Sequence, residues 1–395
     1  MTGHVLGIYR LTGRPLPPAG ALAAQALGAG AAVGHADEDL LLLSAGPGVP
    51  AVATDQGGTA LAWGRITGCL EPLPGGLAPH DPRTLLHLRR RHGESFARLL
   101  DGHFAAVVID RQPRRLRLYQ DRFPGIVTAY WLVHDGLLLF SDRIRPLLRM
   151  VPAARDRLDR RALHQYLADT YVTAPATIYA AVRQLAAGER LTAGEGEVTT
   201  ELYDDWRRPA ERMTDPGLAL VRYRELLADA IARWLERAPG SGFLLSGGLD
   251  SSVNVALAAE RGVQPLRTFG IAAAGLHADA PYARRVASRC GATYLEHTVD
   301  GGEIDDLPRL VWAFENPFFE PGMMLTWSAL SLAAAHTDAV VGGEVADQLF
   351  GACAVPAWRR HRQRRRLGPL WRPWLALVHG TARQPGLRRW RFARR

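Results

Sequence analysis

Lysine is missing altogether: all 48 basic residues of the 395-residue chain are arginine. Arginine holds its proton at any ordinary pH and makes a poor general base. Chemistry that needs a lysine amine is therefore closed to this polypeptide acting alone. Cysteine is nearly missing, with three residues in all. Cys69, Cys290 and Cys353 stand too far apart for a disulfide framework or a zinc pattern, which fits buried thiols in a reducing cytoplasm. No apolar run reaches membrane-spanning length, and the opening MTGHVLGIYRLTGRP lacks the apolar core of a secretion signal. A cytoplasmic protein without a membrane segment is expected. The net charge of +9 is unevenly spread: between Trp358 and Arg395 about a third of the residues are arginine, and the remainder is nearly balanced.

What is present is apolar residue in quantity. At 47% hydrophobic content the chain can bury large cores, and its length suggests two or three domains. Up to about residue 150, short apolar runs separated by turns predict strands: HVLGIYRL, LLLLSAG, TALAWGRI, GHFAAVVID, RLRLYQD, TAYWLVH and GLLLFSD. DPRTLLHLRRRHGESFARLLDG is the main helical interruption. From Arg155 the texture becomes helix-like (DRRALHQYLADTY, LALVRYRELLADAIARWLERA). The strand candidates GFLLS, PLRTFGI and DAVVGG then alternate with helices. Such alternation implies a parallel α/β sheet with ligands at the carboxyl ends of its strands. A boundary near residue 152 follows, giving segments 1–152 and 153–395.

One stretch carries chemistry. FLLSGGLDSSVN runs apolar to Leu245, breaks at Gly247 and Gly248, and opens a helix near Asp250 that would bury Val253, Val255, Leu257 and Ala258. A helix start offers backbone N–H groups without internal partners and favours anions. Glycine lets the backbone approach an oxyanion closely. Ser246, Ser251 and Ser252 add hydroxyl donors, and Asp250 is a hard oxygen ligand of the kind Mg2+ prefers. The stretch reads as a polyphosphate cradle with a metal ligand, and its lack of a GK[ST] ending separates it from the Walker pattern.

LSGGLDSS resembles the PP-loop of ATP pyrophosphatases. Downstream, VVGGEVADQLFG resembles the SGEGADELFGG of the asparagine synthetase family, and WAFENPFFEPGMM resembles that family's acidic stretch. LDGHFAAVVIDRQPRRLRLYQDRFPG followed by LLLFSDRIRPLL resembles its glutamine amidotransferase-like domain, and TIYAAVRQLAAGERL its linking segment. The resemblance runs in family order to about Phe350. It implies an α/β protein with an N-terminal Ntn-hydrolase-like αββα sandwich and a parallel-sheet PP-loop domain, of the adenine nucleotide α-hydrolase-like type, that is short at its C-terminal end. It implies ATP and Mg2+ as cofactors, the metal held by Asp250 and Asp347. Leu244 and Ile271 would flank adenine, while Ser246, Gly247, Gly248, Ser251, Ser252, Gly343 and Glu344 hold phosphates. Glu315 and Glu320 would stand on the acceptor side, where a carboxylate could take a proton from an attacking amine.

The sequence also departs from the family. Thr2 stands where the glutaminase cysteine is expected. In TALAWGRITG, Trp63 and Arg65 replace the asparagine and glutamate that hold glutamine. A hydroxyl beside a free amine can serve as a nucleophile, but losing nucleophile and clamp together predicts an inactive glutaminase kept as a structural half. The expected activity is then an ATP-dependent amide ligase, forming AMP and pyrophosphate, whose nucleophile is an amine of the substrate itself. That type resembles β-lactam synthetases and lasso-peptide macrolactam cyclases. Its substrate would be a carboxylate and amine, such as a ribosomal precursor peptide, with a pathway protease or peptide-binding protein as partner. Two alternatives stand beside it: asparagine synthesis from ammonia, and a truncated remnant that binds ATP or peptide without turnover. The second rests on the absent lysine and the missing RxPFLD-like segment. For the tail, an arginine-faced helix packing on the ATP domain is preferred to a nucleic-acid surface, since no nucleic-acid fold motif accompanies Trp358, Trp371, Trp374 and Trp390.

Overall fold

The computed structural model describes residues 4–46, 50–123, 125–205, 213–273, 279–320 and 322–350. Thr2, Cys353 and the arginine-rich tail lie outside the described residues. Two compact units are formed. One comprises described residues up to Ser241 together with 271–273 and Leu295–Ala339; the other comprises Gly242–Gly270, 279–294 and 340–350.

The first unit begins with β1 (His4–Arg10), α1 (Ala19–Leu27), β2 (Ala32–Ala36), β3 (Leu40–Ala45), β4 (Val52–Thr54), β5 (Gly58–Cys69) and α2 (Pro82–His92). It continues through β6 (Leu100–Arg111), β7 (Arg114–Gln120), β8 (Tyr130–His134), β9 (Leu137–Ser141), α3 (Ile144–Met150) and α4 (Arg160–Asp169). β10 (Arg183–Gln184), β11 (Glu189–Gly194), β12 (Glu197–Leu202) and α5 (Pro216–Arg237) follow. The strands make two six-stranded sheets, ordered β10–β8–β9–β1–β3–β2 and β12–β11–β7–β6–β5–β4.

The two-residue period of a strand explains how these sheets stack. In β1, Val5 and Tyr9 face a core shared with the second sheet, where Leu61, Trp63, Ala105, Val107, Leu116 and Leu118 meet them. The alternate residues Leu6 and Ile8 face the other way, onto Ala23 and Ala26 of α1 and Ile144, Leu147 and Leu148 of α3. On the far face of the second sheet, Phe104, Ala106 and Val108 pack against Leu85, Leu86 and Leu88 of α2. The layers are therefore helix, sheet, sheet, helix. This is the αββα sandwich that the resemblance implied.

The chain then supplies β13 (Gly242–Leu244), α6 (Leu249–Glu260), β14 (Arg267–Ala273), α7 (Ala280–Arg289) and β15 (Thr293–Val299). After α8 (Leu307–Phe314) and α9 (Met323–Ala334) come β16 (Val340–Val341) and α10 (Ala346–Phe350). These strands form a sheet ordered β15–β14–β13–β16, in which β13 runs parallel to both β14 and β16. Phe243, Val255, Leu257, Ala258, Leu266 and Phe269 are buried, while Val253, expected inside, is half-buried. Among the described residues no helix is long and apolar enough to cross a membrane.

Candidate functional site

β13 ends at Leu244, and the chain turns through Ser246, Gly247 and Gly248 into α6. Gly247 adopts φ +89°, and a Cβ there would fall 2.4 Å from the Asp279 carbonyl oxygen. Both facts demand glycine: the left-handed backbone strains other residues, and the approach leaves no room for a side chain. Ser251, only 6% exposed, braces the turn from inside. Its Oγ accepts from the Ser246 N–H at 3.3 Å, lies 3.0 Å from Ser246 Oγ and donates to the Gly248 carbonyl at 3.2 Å. Ser252 Oγ donates to the same carbonyl at 2.6 Å.

Helix starts in this chain are of two kinds: those of α1, α6, α7, α8 and α9 have no side-chain cap, and others do. α2, α4 and α5 each begin at an aspartate (Asp81, Asp159, Asp215) whose carboxylate accepts backbone N–H groups of the first turn. α6 begins at Gly248, with no side-chain cap. Its first-turn N–H groups are left for something else to satisfy.

That helix start opens on a cavity of about 160 Å³, lined by Leu244, Ser246, Gly248, Asp250, Ser251, Gly343 and Glu344. Every lining residue was expected from the sequence, and the two glycine loops nearly one hundred positions apart meet there. They meet closely: a Cβ on Gly343 would lie 3.0 Å from the Ser251 nitrogen and 3.1 Å from Asp250 Cβ. Glu344 and Asp250 thus face one space. Asp347 does not line it; it is exposed in the first turn of α10. Gly247, Ser252 and Ile271 are also absent from the lining.

Among the described residues no group of three or more His, Cys, Asp or Glu could hold a metal. Two carboxylates nevertheless fit Mg2+ that arrives on a phosphate, because that ion takes one or two protein carboxylates and completes its shell with phosphate oxygens and water. An uncapped helix start and a glycine turn suit the phosphates themselves.

A residue that the motif reading passed over is Asn254. It lies on α6 one turn after Asp250, is only 7% exposed, and its Nδ2 donates to the Gly342 carbonyl at 2.9 Å. The signal was a polar residue amid the apolar run VNVALA.

The acceptor-side glutamates belong to the first unit. Glu315 ends α8 with φ +59°, and its side chain is only 3% exposed. Its Oε2 accepts the backbone N–H groups of Ile144 and Arg145, and Oε1 pairs with the Arg145 guanidinium at 2.8 Å. Arg145 also lies over the Trp312 ring at 3.9 Å. The expectation that Glu315 takes a proton from substrate is corrected accordingly: its carboxylate is committed to the start of α3. Neighbouring Asn316 accepts from the Ile178 N–H at 2.9 Å, which ties the same segment to the linker. Glu320 is exposed.

In the strip TALAWGRITG, Trp63 and Arg65 both make contacts within the first unit. Trp63 is 7% exposed and stacks on Phe140 with ring centroids 6.3 Å apart. Arg65 donates to the Arg237 carbonyl at 3.3 Å and lies over the Trp234 ring.

Comparison with known proteins finds similarity in both halves of the chain. The Asparagine synthase family model matches residues 222–395, and the Glutamine amidotransferase domain model matches residues 78–204. Residues 222–395 are thus similar to asparagine synthase domains, and residues 78–204 to glutamine amidotransferase domains. Among its relatives, asparagine synthetase [glutamine-hydrolyzing] 1 of Bacillus subtilis (strain 168) is 27% identical over 69% of this chain and 43% of its own length. A putative asparagine synthetase [glutamine-hydrolyzing] of Mycobacterium tuberculosis (strain ATCC 25618 / H37Rv) is 28% identical over 67% of this chain and 41% of its own. The chain therefore spans less than half the length of these relatives. Among solved structures, the allosteric regulatory enzyme of purine biosynthesis overlaps 75% of this chain and 80% of its own at 10% identity and TM-score 0.33, too loose to bear on function.

Proposed function

We propose that this protein is an asparagine synthetase-like ligase that activates a carboxylate with ATP and passes it to an amine. The observation that supports this reading is the single cavity where Asp250 and Glu344 face an uncapped helix start across two glycine loops. The α6 N–H groups and Ser246 would receive phosphate oxygens. Asp250 and Glu344 would hold Mg2+, whose charge offsets that of the phosphates. The substrate carboxylate attacks the α-phosphorus, pyrophosphate leaves, and an acyl-adenylate remains. The amine then attacks the acyl carbon, AMP leaves, and the amine's proton passes to a base. Asp347, exposed beside the second loop, is a further candidate ligand.

We take the nucleophile to be an amine of the substrate rather than ammonia released from glutamine, because Trp63 and Arg65 occupy the glutamine-holding strip with core and helix contacts. The product would be an amide or macrolactam, with a precursor peptide as the substrate class. On this reading residues 1–152 serve as a structural half and 153–395 as the synthetase. A second reading is nucleotide binding without turnover.

Carboxylate-dependent ATP–pyrophosphate exchange separates the two. With an active acceptor, Asp250→Ala is expected to lower exchange about 100-fold, the scale of removing one preorganised electrostatic contact. Absence of exchange in the parent across peptide and aspartate carboxylates, with nucleotide binding retained, would establish binding without turnover instead.

A further inference from the structure

Asn254 lies where an apolar residue would satisfy the helix. Its neighbours Val255, Leu257 and Ala258 are buried, and asparagine is a weaker helix former than leucine. A buried amide is costly unless hydrogen-bonded, so its position asks what the bond to Gly342 holds.

The loop it reaches is thinly supported. β16 is two residues long and pairs with β13 only through Val340 and Val341. Immediately beyond, Val345 has φ +75°, a left-handed backbone that a β-branched residue adopts only when its surroundings enforce it. Among the described residues, the side-chain hydrogen bond received by residues 342–344 comes from Asn254. On the other side of the same loop Gly343 lies flush against the first turn of α6, where any side chain would push the two loops apart.

We propose that Asn254 is a positioning residue for the nucleotide: its amide holds the Gly342–Glu344 loop onto α6 and so fixes the span between Asp250 and Glu344. The inference rests on the cavity being the nucleotide site. It adds that affinity depends on a residue that touches no ligand. Two carboxylates can share one phosphate-bound Mg2+ only at a set separation, since that ion tolerates little departure from octahedral geometry.

The test uses the full chain, Mg2+ and α,β-methylene-ATP, with calorimetric titration and thermal unfolding on the same samples. Asn254→Asp keeps the size but turns a carboxylate oxygen toward the Gly342 carbonyl; Asn254→Ala removes the donor. Thr268→Val is the control. Thr268 is fully buried in the same unit and donates to the Thr293 carbonyl at 3.1 Å, not to either glycine loop. We expect Asn254→Asp and Asn254→Ala to raise Kd at least tenfold, while Thr268→Val lowers Tm and leaves Kd within twofold. If either folded Asn254 variant binds as the parent does, the proposal is overturned. It is equally overturned if Thr268→Val weakens binding as much, since the effect would then be one of general stability. A parent that binds no nucleotide sinks the nucleotide reading of the cavity, and the inference with it.

Discussion

Two glycines show how one backbone device can serve two ends. Gly64 and Gly247 share φ +89°, and a Cβ on either would collide with a carbonyl oxygen, His103 at 2.3 Å and Asp279 at 2.4 Å. Around Gly247 the flanking groups are short and polar, and they border a cavity. Around Gly64 they are Trp63, inserted between the two sheets, and Arg65, laid on α5. The turn recurs in both strips, and the one at Gly247 adjoins a cavity. Backbone shape alone therefore says little about activity; the side chains on either side of the glycine decide it.

The comparison breaks most sharply at Trp63. If this residue is core, Trp63→Ala should cost about 3–5 kcal/mol in denaturant unfolding, the range for a buried tryptophan. Trp63→Asn, which restores the residue expected of a glutamine site, should cost at least as much, because a buried amide would replace a stacked ring. A loss below about 1 kcal/mol would mean that the strip is vacant rather than filled. The cradle is probed at Gly248. Its φ of −70° suits any residue, and an added Cβ would lie 3.3 Å from Ser246 Oγ, so Gly248→Asp installs the cap that α2, α4 and α5 already have. Unfolding should be unchanged or favourable by a few tenths of a kcal/mol. Affinity for Mg2+ and α,β-methylene-ATP should fall about 100-fold, because a carboxylate would sit where phosphate belongs. Unchanged affinity would remove α6 from the binding site.

Much of this was legible in the residues. The apolar alternation of HVLGIYRL and GHFAAVVID marks β1 and β6, and GFLLS, PLRTFGI and DAVVGG mark the strands of the parallel sheet. The strands that escaped notice lack that signal for a physical reason. β12 is mostly exposed, and β15 is a half-buried edge strand interrupted by Glu296 and His297. The cavity lining was legible because glycine loops advertise backbone requirements. Glu315 was misread because an acidic motif does not reveal whether its carboxylate faces substrate or, as here, the N–H groups of a helix more than 160 residues away in sequence. Asn254 went unread because its partner is a backbone carbonyl, which has no sequence signature.

The smallest effect concerns a capped helix start and supplies the baseline for the uncapped one. Asp81 caps α2, accepting from the Arg83 N–H at 2.8 Å, and its side chain also binds the Arg83 guanidinium. Asp81→Ala should cost about 1 kcal/mol at neutral pH. The hydrogen bond from the Arg83 side chain is the main reason that the Asp81 carboxyl is held below its usual range, with the backbone N–H assisting against slight burial. A depressed folded pKa means that the cap contributes fully above the unfolded value, near pH 4, and that this contribution fades as pH falls through the lower folded value. The parent and Asp81→Ala should therefore differ in denaturant midpoint at pH 7 and converge in acid. Gly248→Ala, which has no cap to lose, should show no such convergence. A pH-independent gap at Asp81 would show that the residue acts through packing, and the contrast between closed and open helix starts would lose its electrostatic basis.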